Sequence, residues 1–222
     1  ASSSSPARDM AQLRLVSGAR DSGPPLVARL RLDGLSFGGR AVLGPVTLDL
    51  RQGETVALTG PSGAGKTTLL RSLAGLEPRF RGERVVPDRL AMVFQEPTLL
   101  PWRSLRDNLM IPLRISRDSA EAALAEVGLG GRGDAWPRQL SLGQQRRLSL
   151  ARGFAAEPEL LLMDEPFVSL DPALADEMMT LFETLRARRR VTTLIVTHVQ
   201  AEARRLATRI LRLEGSPARL VG

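Results

Sequence analysis

Residues 60–67 read Gly60-Pro61-Ser62-Gly63-Ala64-Gly65-Lys66-Thr67 and match G-x-x-x-x-G-K-[ST] at every fixed position. The apolar run Val56 to Leu58 precedes them and Thr67 to Leu76 follows with helical spacing, so the glycine-rich turn joins a strand to a helix. That setting has a chemical use. Glycines let backbone N–H groups converge on phosphate oxygens, and the helix N-terminus adds positive potential. Lys66 is placed to reach the β- and γ-phosphates, the Thr67 hydroxyl to ligate Mg²⁺, and the segment Gly60 to Thr68 to cradle the nucleotide. A glycine-rich turn whose lysine merely snorkels is the competing reading, and the strand–helix context tells against it.

Working outward, strands and helices alternate. Leu30, Leu32 and Leu35, then Val46, Leu48 and Leu50, have the spacing of short strands ahead of the turn. Leu90 to Phe94 is a further strand, and residues 98–156 are helical in character, with Leu148, Ala151 and Phe154 on one face. Leu160 to Met163, Thr193 to Val196 and Ile210 to Leu213 read as strands, separated by helical patterns over 174–185 and 201–207. Interleaved strands and helices predict an α/β fold with a mostly parallel sheet covered on both faces. Residues 1–27 read as a flexible tail without the apolar core of a signal peptide, 28–215 as the domain, and 216–222 as a C-terminal tail.

The strand Leu160 to Met163 ends in Asp164-Glu165-Pro166. Two acids at a strand end are ordinarily solvated turn residues. Beside a triphosphate loop, Asp164 can hold Mg²⁺ and Glu165 can orient or deprotonate an attacking water.

Composition narrows the rest. The 222 residues carry 31 Lys+Arg against 24 Asp+Glu, a net charge of +7. No run approaches the ~18 apolar residues of a membrane span, so the chain is not expected to form a pore. There is no cysteine, which excludes disulfides, thiolate metal sites and a cysteine nucleophile. His198 is the single histidine, which excludes a multi-histidine zinc site. Lys66 is the single lysine, so all other basic charge is arginine. An arginine excess can mark a nucleic-acid partner, but no long basic run is present and a broad Arg-for-Lys bias accounts for it better.

Taken with these elements, Leu140-Ser141-Leu142-Gly143-Gln144 resembles the LSGGQ signature, and the chain resembles an ABC-type ATPase, the nucleotide-binding subunit of an ABC transporter. Gln95 matches the Q-loop, Ser169-Leu170-Asp171 the D-loop and His198 the switch histidine, while Phe37 stands where an aromatic stacks on adenine. The resemblance covers about residues 28–215 and implies a P-loop core, a small antiparallel β lobe and a helical lobe over about 98–156. It also implies ATP and Mg²⁺ as cofactors. Glu165 and His198 would be catalytic; Thr67, Gln95 and Asp164 would complete the Mg²⁺ shell. Two copies would pair head to tail, with Ser141, Gly143 and Gln144 of one copy closing over the nucleotide of the other and Asp171 acting between them.

Several of these residues also have plain structural readings. Asp171-Pro172 is a good helix start by itself, Phe37 can be core, and Gln95 alone is an ordinary surface glutamine. The sequence also departs from the pattern: Leu142 replaces the first signature glycine, Val199 stands where an acid usually follows the histidine, and Gly75 to Gln95 is short. Gln95 to Trp102, Ser104 to Asn108 and Trp136-Pro137 are similar to the nitrate, sulfonate and taurine importers, and Glu165-Pro166-Phe167 to importers of thiamine-like compounds. The resemblance implies an ATPase that drives import through a separate permease, with a periplasmic binding protein, on the cytoplasmic face of the membrane. A soluble ABC-type ATPase acting on nucleic acid or a protein partner is the other class, supported only by the basic charge.

Overall fold

The computed structural model describes residues 23–222. Its eleven strands are β1 (Leu26–Leu32), β2 (Leu35–Phe37), β3 (Arg40–Leu43), β4 (Val46–Arg51), β5 (Thr55–Thr59), β6 (Gly82–Val85), β7 (Leu90–Val93), β8 (Leu160–Asp164), β9 (Thr192–Val196), β10 (Arg209–Gly215) and β11 (Ala218–Val221). Its helices are α1 (Lys66–Ala74), α2 (Leu105–Leu113), α3 (Arg117–Glu126), α4 (Leu142–Ala155), α5 (Pro172–Ala187) and α6 (Gln200–Leu206), with a 3₁₀ turn at Pro137–Gln139.

The central sheet has the order β2-β3-β11-β10-β5-β9-β8-β7, and from β10 to β7 every pairing is parallel. β5, β8 and β9 are buried along their whole length, as expected for strands covered on both faces. Alternation along β8 divides the core. Leu160 and Leu162 pack with Leu69, Leu70 and Leu73 of α1, whereas Leu161 and Met163 pack with the helical lobe. Asp164 continues the Leu160–Leu162 parity, so its carboxyl comes out on the α1 side. A second sheet, β4-β1-β6, is antiparallel and forms the small lobe.

On the far face, α2 to α5 gather around Phe154, Leu148, Met178 and Phe182, with the Phe154 and Phe182 rings 6.0 Å apart. α1 ends two residues earlier than its apolar spacing suggests, because Gly75 adopts φ 76° and its N–H closes on Ser72 O. Two further boundaries differ from the sequence reading. Residues 1–22 of the expected 1–27 tail lie outside the described residues, and β1 already begins at Leu26. The expected tail 216–222 instead contains β11, paired antiparallel to β10, with Ala218 O accepting from Gly44 N at 2.8 Å. Ala218 is fully buried, so backbone pairing to an available sheet edge overrides a weak apolar signal.

Candidate functional site

The turn from β5 into α1 is built by glycines at two points of close approach. A Cβ on Gly60 (φ 145°) would lie 2.6 Å from Leu213 O, and one on Gly65 (φ 92°) would lie 2.8 Å from Leu43 Cδ2. Both φ values belong to glycine, and neither site has room for a side chain. The loop therefore wraps tightly and lines a cleft of ≈ 300 Å³, a setting in which backbone N–H groups at a helix N-terminus favour an anion. Phe37, Ser62, Gly63, Gly65, Lys66 and Thr67 line the cleft, together with Val42, Thr68 and Glu165.

Lys66 is buried, and its ammonium donates to Gly60 O and Pro61 O, both at 3.0 Å. Two of its three donors hold it over the loop, which leaves one to point outward. Thr67 Oγ1 donates to Asp164 Oδ1 at 2.9 Å. These two oxygens are hard donors on adjacent elements, and with phosphate oxygens and water they suit Mg²⁺, which rarely relies on an all-protein cage. Among the described residues no group of three or more His, Asp or Glu side chains forms such a cage.

Asp164 is 7% exposed, and burial pushes its carboxyl above the ordinary value of 3.8, with Glu165 adding to the rise and the Thr67 hydrogen bond opposing it. A carboxyl whose pKa is higher in the folded state than in the unfolded state destabilises the fold when ionised; that cost is full above the folded pKa and fades as pH falls to the unfolded value. Asp164→Asn keeps an oxygen for Thr67 and removes the charge. It should raise Tm by about 2–4 °C at pH 7.5, with a smaller gain on approach to pH 4, while ATP hydrolysis falls by about 100-fold. Thermal melts over that pH range, beside a phosphate-release assay, check both halves.

Glu165 follows directly, with φ 44° and its N–H bonded to Val196 O at 2.9 Å. This backbone tie holds the acid beside the end of β9, where His198 stands with Nδ1 3.2 Å from Glu165 Oε2. Val199 leaves no polar side chain directly after the histidine, but an acid farther along the chain lies near it. Glu202, one helical turn farther on in α6, is buried; it accepts from Thr197 Oγ1 at 2.5 Å, and Thr197 Oγ1 in turn accepts from Val199 N at 3.0 Å. Burial raises the Glu202 carboxyl, and the nearby His198 partly offsets this. The His198 backbone is thus pinned from both sides.

The cleft brings together Phe37, Gly63, Gly65, Lys66, Thr67, Thr68 and Glu165, with Asp164 and His198 in contact with members of that set. Ser141, Gly143, Gln144, Gln95 and Asp171 do not line it. Ser141 and Gln144 close a capping box at the start of α4, with Gln144 N to Ser141 Oγ at 3.3 Å and Ser141 N to Gln144 Oε1 at 3.1 Å. Gly143 is pressed against Leu174, and Asp171 caps α5 by accepting from Leu174 N at 3.0 Å. Leu142 is 47% exposed, so its side chain finds no berth within its own chain. Arg79 was missed by sequence reasoning. Its guanidinium lies 4.9 Å from the Phe37 ring centroid, and nothing in a lone surface arginine signals such a contact.

Residues 43–168 match the family model described as ABC transporter. The chain belongs to the ABC transporter family. This ABC cassette is 49% identical over 189 residues to "Aliphatic sulfonates import ATP-binding protein SsuB 3" of Paraburkholderia xenovorans strain LB400, an alignment covering 84% of this chain and 76% of the relative. It is 44% identical over 211 residues to "Aliphatic sulfonates import ATP-binding protein SsuB 1" of Streptomyces avermitilis, covering 93% and 81% respectively. Among solved structures it is similar to the ATP-binding cassette MJ0796, in a dimeric post-hydrolysis state bound to ADP and Pi, with TM-score 0.71, 27% identity and coverage of 85% and 94%. The α/β cassette with its antiparallel and helical lobes is therefore the ABC ATPase fold. No helix among the described residues is long and apolar enough to cross a membrane.

Proposed function

We propose that this cassette is the ATP-hydrolysing subunit of an importer for small organic anions of the aliphatic-sulfonate class, working through a separate membrane permease. The observation that carries the reading is one cleft in which Lys66, the Thr67–Asp164 pair and the Glu165–His198 contact converge. The relatives' printed names support the import role and the solute class. Phe37 stacks on adenine, and the Gly60 to Thr68 segment holds the phosphates. Thr67, Asp164 and Gln95 would hold Mg²⁺, which would supply charge neutralisation at the transferring phosphate. His198 holds the attacking water, and Glu165 accepts its proton as the water oxygen bonds to the γ-phosphorus and the bond to the ADP oxygen breaks.

Two copies pair head to tail in this mechanism, a reading supported by the dimeric cassette of similar fold. Ser141 and Gly143 stand outside their own cleft at a helix N-terminus suited to an anion, so they complete the partner's site. The assembled subunit sits peripherally on the cytoplasmic face, and a periplasmic binding protein delivers the solute.

The decisive experiment is reconstitution with its cognate permease. Alkanesulfonate with its binding protein should stimulate ATP turnover at least about tenfold; stimulation by nitrate or a thiamine analogue and not by sulfonate would reassign the solute. Duplex DNA that stimulates in a salt-sensitive way would instead favour a nucleic-acid role.

A further inference from the structure

Among the described residues, the buried side-chain polar atoms without a hydrogen-bond partner are Arg146 Nε and Nη1, Ser149 Oγ and Thr193 Oγ1. Arg146 and Ser149 are three residues apart on α4, hence on one face, and are 7% and 2% exposed. A guanidinium keeps its charge at any physiological pH. Held in the interior without an acceptor it is costly, and such orphaned groups in native proteins call for an explanation. Burial lowers the Arg146 pKa, and the acid whose field opposes that shift is Glu96, next to Gln95.

The segment leaving β7 is a strap along α4 with two fixed ends. Val93 packs directly on Gly153, where an added Cβ would lie 2.9 Å from Val93 Cγ2. Beyond the strap, Arg152 donates from Nη1 to Thr98 O at 3.0 Å and from Nη2 to Pro97 O at 3.0 Å and Thr98 Oγ1 at 2.7 Å. Phe94, Gln95 and Glu96 lie between these anchors. Gln95 and Glu96 are exposed, and neither side chain has a hydrogen-bond partner among the described residues. One end of α4 thus holds the strap firmly, while an unpartnered cation and hydroxyl wait on the adjoining stripe.

We propose that Arg146 is a positioning residue for Gln95: its guanidinium, aided by Ser149 Oγ, receives the Glu96 carboxylate and locks the Phe94–Glu96 strap with the Gln95 amide turned toward the nucleotide. The planar guanidinium fork matches a carboxylate in two hydrogen bonds. Because Val93 and Thr98 are already fixed, one ion pair suffices to remove the remaining freedom of three residues. The inference rests on the ATP-binding role proposed for the cleft and on Gln95 belonging to the Mg²⁺ shell. An internal water bridging Arg146 and Ser149 is the rival account, and it gives Glu96 no part.

The test measures how much Mg²⁺ improves ATP binding, as the ratio of the ATP Kd in EDTA to that in Mg²⁺. The chain is compared with Glu96→Gln, Arg146→Met and the double variant. Each single change should reduce the Mg²⁺ gain about fivefold, and the double change no further, as for two residues acting as one unit. Binding in EDTA should be unchanged throughout. Arg146→Met should also raise Tm, because it removes a buried charge; loss of a purely structural contact would lower it. Arg146→Lys should recover part of the gain, and Arg146→Gln replaces the Met variant if that does not fold. Additive losses, a full Mg²⁺ gain in Arg146→Met, or a gain lost there but kept in Glu96→Gln each overturns the positioning role. A wild-type chain that binds no ATP in either condition overturns the proposed function along with it.

Discussion

Glu165→Gln should hold the cassette as an ATP-bound dimer with hydrolysis reduced at least about 100-fold, the lower end of what a positioned general base contributes. The substitution is nearly isosteric, and the features that place the side chain are backbone features. These are the φ of 44° at residue 165 and the N–H bond to Val196 O. The amide still contacts His198 but cannot accept a proton from water. Nothing in the phosphate loop changes, since Lys66 is held by Gly60 O and Pro61 O and Thr67 by Asp164. Binding therefore survives while turnover stops. Size-exclusion chromatography with ATP and Mg²⁺, paired with a phosphate-release assay, reads both outcomes. A variant that stays monomeric under those conditions sinks the paired mechanism, and one that hydrolyses normally removes Glu165 from the chemistry.

The sequence carried the phosphate loop, the acidic strand end and the α/β alternation because each depends on local chemistry. Glycine at 60 and 65 is demanded by backbone φ and by contacts under 3 Å, and the apolar run Leu160 to Met163 of β8 is demanded by burial on both faces. What it did not carry depends on distant partners. β11 has two interior-facing residues and no strong pattern, and it forms because β10 and β3 offer edges. Glu202 looks like a helix-surface acid until Thr197 folds over it. Arg146 sits among polar neighbours in the sequence and gives no sign of being buried. For Asp171, the local helix-cap reading from Asp-Pro corresponds directly to the bond it makes with Leu174 N.

Lys66→Ala should weaken ATP binding about 100-fold and abolish measurable turnover, a larger binding defect than any other single change in the cleft. A hydrogen bond to a charged group contributes about 1.5–3 kcal/mol, and Lys66 is the one cationic side chain lining the cleft. Its loss also frees Gly60 O and Pro61 O, so the loop's own shape loosens and the backbone N–H groups no longer converge. Arg in its place should not rescue. In a chain where every other basic residue is already arginine, the exception marks a place that a guanidinium does not fit. The ammonium is buried between two carbonyls 3.0 Å away, and Gly65 beside it tolerates not even a Cβ. A planar fork there would either push the loop carbonyls apart or project past them into the phosphate position. Isothermal titration with ATP on Lys66→Ala and Lys66→Arg separates the possibilities. Charge alone predicts recovery in the arginine variant, whereas shape predicts that both bind equally poorly. Recovery to within about threefold of wild type would show that a compact ammonium is not required.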